Sequence, residues 1–202
     1  MFYNTIDTKT LSLLKRIQSI PELVDTRLVG GTGLALQIGH RISVDLDLFG
    51  IWEHEGSLDL LLSKCGNVVV DNILGTMQFF TIDGIKTDFV KYDYPWIGDA
   101  VVEDGIRIAS IEDIGAMKIN AIINRGTRKD FIDMAFLLKE HSLDTILGWF
   151  KEKYASGNTG TALRSLAYFD DAETMPMPKM ILKMTWDECK ALIKGKLNDF
   201  AR

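Results

Sequence analysis

The chain has 202 residues, 47% of them apolar and 25% charged, and a formal net charge of −5. That is the make-up of one globular domain, or of a small catalytic domain with a helical extension; the acidic balance excludes a global basic field for nucleic acid but leaves room for a local basic patch. Cys65 and Cys189 lie too far apart for a CxxC zinc site or a disulfide framework, the N-terminus is no signal peptide and no apolar run approaches 18 residues, so a cytoplasmic protein with no membrane segment is expected.

In chain order, residues 8–20 place Leu11, Leu14 and Ile17 (or Leu13) at helical spacing, which predicts an amphipathic helix. Pro21 suits the first turn of a second short helix, and both helices are expected behind the first strand. Leu28 and Val29 then enter like a strand and meet two adjacent glycines, Gly30 and Gly31, ahead of an apolar helical run from Thr32 to Ile38. A glycine turn into a helix N-terminus frees backbone N–H groups beside the positive end of the helix dipole, and lets a ligand approach the backbone. Ser43-Val44-Asp45-Leu46-Asp47-Leu48 alternates as a strand, with Ser43, Asp45 and Asp47 on one face and Val44, Leu46 and Leu48 on the other. Two carboxylates roughly 6–7 Å apart at Cα repel one another if both ionise, and a divalent cation is the obvious offset. One stretch thus offers a phosphate cradle and a metal-binding carboxylate pair, which suits a nucleoside triphosphate with Mg²⁺. As structural alternatives, Gly30-Gly31 is simply a tight turn, and the two aspartates are the solvated face of an edge strand.

After Phe49 comes a loop with Trp52, His54 and Gly56, then a helix opening at Gly56 or Ser57 and running to about Ser63. Val68–Val70 is a strand candidate. MQFFTI and IKTDFVKY flank Asp83-Gly84, a strong signal for a hairpin with a type I′ turn. In its second arm Lys86, Asp88 and Val90 share one face, opposite Ile85, Thr87 and Phe89. Ile106–Ala109 is a short strand, and Ser110 is an N-cap with Asp113 at the third helical position. From there the sequence turns helical over 111–124, 128–140, 143–153, about 161–169 and 185–200. Pro176 and Pro178 break the looser piece before the last helix. The expected class is α+β: an α/β core over 1–109, then a helical C-terminal region over 110–202 that completes the active site.

Ile111, Ile114, Lys118, Ile122 and Arg125 form one stripe on the first of these helices. A lysine centred on an apolar face is unusual unless it is paired or snorkels to the rim. Lys118 and Arg125 stand two turns apart, about 10 Å by helix rise, so a phosphate chain fits along them. A turn, Arg125-Gly-Thr-Arg128-Lys129-Asp130-Phe-Ile-Asp133, leads into the next helix. Thr127 with Asp130 makes a near capping box, and Asp133 pairs most simply with Lys129 at i, i+4, in a structural role. His40 reads as a packing or supporting residue rather than a ligand, and Met175, Met177 and Met180 as gap-filling apolar residues.

The string GGTGLALQIGHRISVDLDLF, Gly30–Phe49, resembles the signature of the DNA-polymerase-β-like nucleotidyltransferases, and more narrowly the AbiEii/AbiGii-type nucleotidyltransferase toxins of abortive-infection toxin–antitoxin pairs. A second match is Lys118-x-x-Ala121-x-x-x-Arg125 followed by Lys129-Asp130-x-x-Asp133, so the resemblance covers about 30–140. Lys129 stands where the family often has Arg, which keeps the charge and loses the bidentate fork. The resemblance implies a polymerase-β-like fold with a mixed sheet, and Mg²⁺ held by Asp45 and Asp47, with Asp88 as the third carboxylate on a neighbouring strand. It implies that Gly30, Gly31, Thr32, Ser43, Lys118 and Arg125 bind the nucleotide. Asp130 then belongs to the catalytic centre, orienting Lys118 or acting on the acceptor hydroxyl. NMP would pass from an NTP to an acceptor, a tRNA 3′ end or another RNA, with a cognate antitoxin protein as partner. The alternatives are transfer to a small molecule or protein hydroxyl, or an inactive nucleotide-binding module.

Overall fold

The structure is a computed structural model describing residues 1–52 and 57–202; the expected positions of His54 and Gly56 lie outside the described residues. The chain divides into two compact units. One comprises Met1–Gly39, Ser43–Tyr94 and Asp99–Ala109, the other His40–Ile42, Pro95–Gly98 and Ser110–Arg202. Among the described residues no helix is long and apolar enough to cross a membrane.

The first unit is a seven-stranded mixed sheet with three helices. Helix α1 (Thr8–Gln18) begins at Asp7, whose carboxylate accepts from the backbone N–H groups of Lys9 and Thr10. It buries Leu13, Leu14 and Ile17, while Leu11 is only half-buried. Pro21 opens a single 3-10 turn, Pro21–Leu23. Strand β1 (Arg27–Leu28) leads into α2 (Gly30–Ile38), where Leu34, Ala35 and Leu36 have no exposure at all. A helix apolar on every side needs burial all round, and the unit's core supplies it. Gly39 in the left-handed conformation ends it.

Strand β2 (Leu46–Gly50) starts later than the alternation predicts. Ser43 instead donates its backbone N–H to the Thr5 carbonyl, and Val44 is 44% exposed rather than turned into the core. Helix α3 (Leu58–Leu62) follows Ser57, as expected. Three antiparallel strands come next: β3 (Val68–Leu74), β4 (Met77–Ile82) and β5 (Ile85–Lys91). Asp83 and Gly84 both have positive φ, +50° and +81°, as a type I′ turn requires. Strand β3 runs four residues beyond the expected Val68–Val70. A second Asp-Gly hairpin at Asp104-Gly105 joins β6 (Val101–Glu103), absent from the expectation, to β7 (Ile106–Ile108). The strand order is β3-β4-β5-β2-β1-β7-β6, with β2–β5 and β1–β7 parallel and the other pairs antiparallel. Leu46, Leu48 and Phe89 fill the buried face, with Phe89 edge-on to Phe80.

The second unit packs five helices: α4 (Ile111–Asn124), α5 (Arg128–Glu140), α6 (Leu143–Lys153), α7 (Thr159–Ala167) and α8 (Trp186–Phe200). Their starts carry the expected chemistry. Ser110, Ser142 and Asn158 cap α4, α6 and α7, and Thr185 with Glu188 forms a full capping box on α8. Thr127 makes no such cap on α5; its hydroxyl donates to the Asp130 side chain instead. Ile114, Ile119, Phe131, Leu138, Ile146 and Ile193 are buried between the helices. Met177 is 36% exposed, and Met175 and Met180 are half-buried, so these three are not the core filling their composition suggested; Met134 and Met184 take that part. The short segment His40–Ile42 belongs to this unit by its hydrogen bonds. The His40 carbonyl accepts from the N–H groups of Ile181 and Leu182, and the Ile42 N–H donates to the Lys179 carbonyl.

Candidate active site

In the sheet unit, the Val29 N–H donates to the Asp47 carbonyl, which draws the start of α2 against β2. Gly30 has φ +65°, and a Cβ there would overlap the Asp47 carboxylate. The glycine turn and the acidic strand are therefore one site: the Asp47 side chain occupies the space beside the first turn of α2 that only glycine leaves open. Gly31 is the second residue of that turn. Thr32, 1% exposed, donates its hydroxyl to the Asp45 carbonyl and lies 2.9 Å from the Ser43 hydroxyl. Its side chain fastens the approach to β2, so what Thr32 can offer a ligand is its backbone. Asp45 lies one residue before β2 rather than within it, and is half-buried.

Strand β5 lies beside β2 in parallel, with Asp47 and Asp88 as Cα partners. The neighbouring-strand position expected of Asp88 is thus observed. One of its carboxylate oxygens, Oδ1, is buried without a hydrogen-bond partner. Burial first, then the charge of Asp47, pushes the Asp88 carboxyl up from 3.8 to about 6, with Lys86 opposing and Asp45 adding to the rise. Among the described residues no group of three or more His, Cys, Asp or Glu side chains stands close enough together to hold a metal ion. The donor set nonetheless fits a hard divalent cation. It is all-oxygen, two of its members are in register on adjacent strands, and one carries an orphaned buried oxygen that a positive charge would satisfy.

In the helical unit the expected stripe is present, and Lys118 is neither at the rim nor open. It is 4% exposed, with Nζ 3.0 Å from Asp130 Oδ1 and 2.5 Å from Asp133 Oδ2. Burial alone would lower its pKa; the Asp133 and Asp130 carboxylates outweigh that and raise it. Asp130 is fully buried and also receives the Arg125 fork, Nε at 3.0 Å and Nη2 at 3.2 Å, together with the Thr127 hydroxyl. Burial pushes the Asp130 carboxyl up, but Lys118, Arg125 and Thr127 hold it below the usual carboxylate range. Arg125 keeps 59% of its side chain exposed.

The residue that sequence reasoning undervalued is Asp133. It is bonded by Arg41, through Nε at 2.6 Å and Nη2 at 2.9 Å, by His40 Nε2 at 2.7 Å, and by Lys118. Desolvation of the buried Asp133 is overcome by Lys118 and Arg41, which hold it well below the carboxylate range. His40 is fully buried, and desolvation keeps it neutral against the pull of Asp133. Its Nε2 therefore carries the proton given to Asp133, and it packs on Phe136 at 5.1 Å, the supporting role expected of it. No local signal reveals this cluster, because Arg41 stands 92 positions before Asp133.

Comparisons with known proteins place this geometry. Residues 76–201 match the family model described as "Nucleotidyl transferase AbiEii toxin, Type IV TA system". An uncharacterized protein of Aquifex aeolicus is 31% identical over 194 residues, 93% of each chain. Among solved structures, JHP933 from Helicobacter pylori superposes with a TM-score of 0.61 at 19% identity, covering 96% of this chain and 92% of that one. The nucleotidyltransferase toxin MenT4 of Mycobacterium tuberculosis superposes with a TM-score of 0.57 at 12% identity, over 96% of this chain and 86% of that one. These two likenesses concern the fold, a mixed sheet with helices shared with nucleotidyltransferases. Family membership rests on the match over more than half the chain and on the Aquifex relative: the chain belongs to the AbiEii family of nucleotidyltransferase toxins.

Proposed function

We propose that this nucleotidyltransferase moves NMP from an NTP to the 3′ hydroxyl of an RNA, a tRNA end in the reading favoured here, with Mg²⁺ as the metal of the reaction. The observation that carries the reading is the Asp47–Asp88 pair, in register on parallel neighbours with an unpartnered buried oxygen, in a chain of this family. Asp45, Asp47 and Asp88 would hold the metal. Bound there, Mg²⁺ neutralises triphosphate charge and supplies Lewis acidity at the α-phosphorus. The backbone N–H groups of Gly30, Gly31 and Thr32 at the start of α2 are assigned to phosphate oxygens, with Ser43 beside them. The acceptor oxygen forms its bond to the α-phosphorus as the bond to the β-bridging oxygen breaks, and pyrophosphate leaves. The acceptor's proton passes to water; Asp130 is not suited to take it, since three donors stabilise its ionised form.

In the helical region, 110–202, Lys118 is assigned to holding Asp130 and Asp133 in place. Arg125, fixed by Asp130 yet open, is assigned to a phosphate of the substrates. A cognate antitoxin follows from the family's toxin–antitoxin description, and a cytoplasmic site of action is part of the proposal. The test is label transfer from each of four α-³²P NTPs into total RNA with Mg²⁺, with Asp45→Ala alongside. Label entering a tRNA-sized band from one NTP, and lost in the variant, is the expected result. Mg²⁺-dependent NTP binding with no labelled RNA redirects the reading to a small-molecule or protein acceptor.

A further inference from the structure

The helical unit contains a groove of about 460 Å³ between the end of α4 and the segment from α7 to Asp171. Its polar wall is made by Asn124, Arg125, Arg164, Ser165, Tyr168 and Asp171. Arg164 on α7 and Tyr168, just past its last residue Ala167, both line the groove, and Asp171 follows in a 3-10 turn. The Tyr168 ring is 52% exposed, and its hydroxyl donates to Asp171 Oδ1 at 3.3 Å, which fixes how the ring is presented. Arg125 is braced from behind by the Asp130 fork, and Arg164 by the Thr161 hydroxyl at 3.1 Å. An exposed aromatic face sharing one groove with two braced guanidinium groups is an arrangement that suits single-stranded nucleic acid: a platform for one base and cations for phosphates.

We propose that this groove binds one nucleotide of the acceptor RNA, with its base on Tyr168, its phosphodiester on Arg125 and Arg164, and Asp171 accepting from a sugar hydroxyl or base amine. The proposal rests on the RNA-acceptor reading above and adds the site. Charge separates acceptor from donor. A triphosphate brings nearly four negative charges and calls for a metal, whereas the groove's two arginines and one aspartate leave a net charge of +1, the match for one phosphodiester. Its walls come entirely from the helical unit, while the carboxylates assigned to the metal all belong to the sheet unit.

The test uses the full chain, with a 5′-labelled single-stranded RNA bearing a free 3′ hydroxyl as probe, and Tyr168→Ala, Tyr168→Phe and Arg164→Ala as variants. Thermal melting first shows that each variant is folded. Tyr168→Ala is expected to raise KM for RNA by ~10-fold, the loss of one stacked base, with KM for the NTP unchanged. Tyr168→Phe keeps the ring and should bind RNA like the parent. Arg164→Ala should flatten the dependence of log affinity on log salt by about 0.7, one phosphate contact on a single strand. Unchanged RNA binding in folded Tyr168→Ala and Arg164→Ala overturns the proposal while RNA labelling by the parent stands. A rise in KM for the NTP alone gives the groove to the donor and also overturns it. Parent protein that labels a small molecule or a protein but no RNA overturns the acceptor reading itself.

Discussion

Asp88 Oδ1 is held out of water with no donor to meet it, beside another carboxylate, and the proton takes up the strain. Its folded pKa, about 6, lies above the ordinary 3.8, so the folded chain binds this proton more tightly than the unfolded chain does. Stability of the metal-free protein should therefore decline as pH rises from about 4 to about 6 and stay lower above that. Asp88→Asn removes the decline. It should stabilise the metal-free protein at neutral pH by on the order of 1 kcal/mol, allowing for solvent screening of a half-exposed group, and abolish transfer. Urea melts at about pH 5 and 7.5 check this; a variant less stable than the parent at neutral pH would sink the argument.

Asp133 is the opposite case, a carboxylate saturated with donors. Asp133→Ala would leave Arg41 and Lys118 short of a buried counter-charge, an expected loss of about 3–5 kcal/mol in a denaturant titration, far beyond a surface i, i+4 pair. The two residues also mark what the sequence reveals. The place of Asp88 is legible because a hairpin turn fixes its alternation and the family resemblance implies a third carboxylate on a strand beside the pair. The full set of Asp133 partners is not, because the fold brings Arg41 to it across 92 positions.

At the level of elements, the turn into α2 carries the most function per residue. Gly30→Ala must face both a positive φ and the Asp47 carboxylate, so the side chain that moves is the one assigned to the metal. The variant should lose transfer activity while losing only about 1–2 kcal/mol of stability. Parallel activity and melting measurements would separate these effects, and a fully active Gly30→Ala would contradict the shared site. The helices were readable from periodicity and, at α4, from the Ser110 cap; the Ser142 and Thr185 caps appear only in the structure. The strands were less so. Alternation over 43–48 continues a real strand backwards through residues whose hydrogen bonds go to Thr5, and Asp104-Gly105 carries the same turn signal as Asp83-Gly84 between arms only three residues long. The Arg125–Arg164–Tyr168 groove leaves no sequence motif, because Arg164 and Tyr168 lie beyond the recognisable stretch.

For the molecule as a whole, the depressed carboxyls set the acid limit. Asp130 and Asp133 have folded pKa values below 3.8, so their contribution is complete above that value and is lost as pH falls through the folded values. The expected profile is a melting temperature that rises slightly from about pH 7 to 5, as Asp88 takes up its proton, and then drops steeply below about 4. A flat profile down to about pH 2.5 would mean that the buried network contributes nothing.

The route of the chain has a consequence for its history. The helical unit is not the contiguous stretch 110–202. It borrows His40–Ile42 and Pro95–Gly98, and the loans are structural: Arg41 and His40 complete Asp133, while the Ile97 and Gly98 N–H groups meet Asp113, and the Pro95 carbonyl meets Lys153. A fragment beginning at Ser110 would take hydrogen-bond partners from three buried charges, Asp113, Asp133 and Lys153, and near-ultraviolet circular dichroism should find it without fixed tertiary structure. Interleaving of this kind makes the two units inseverable. No single recombination point can donate the helical half to another protein or take it away, so gene shuffling and truncation must pass the pair on whole or destroy it.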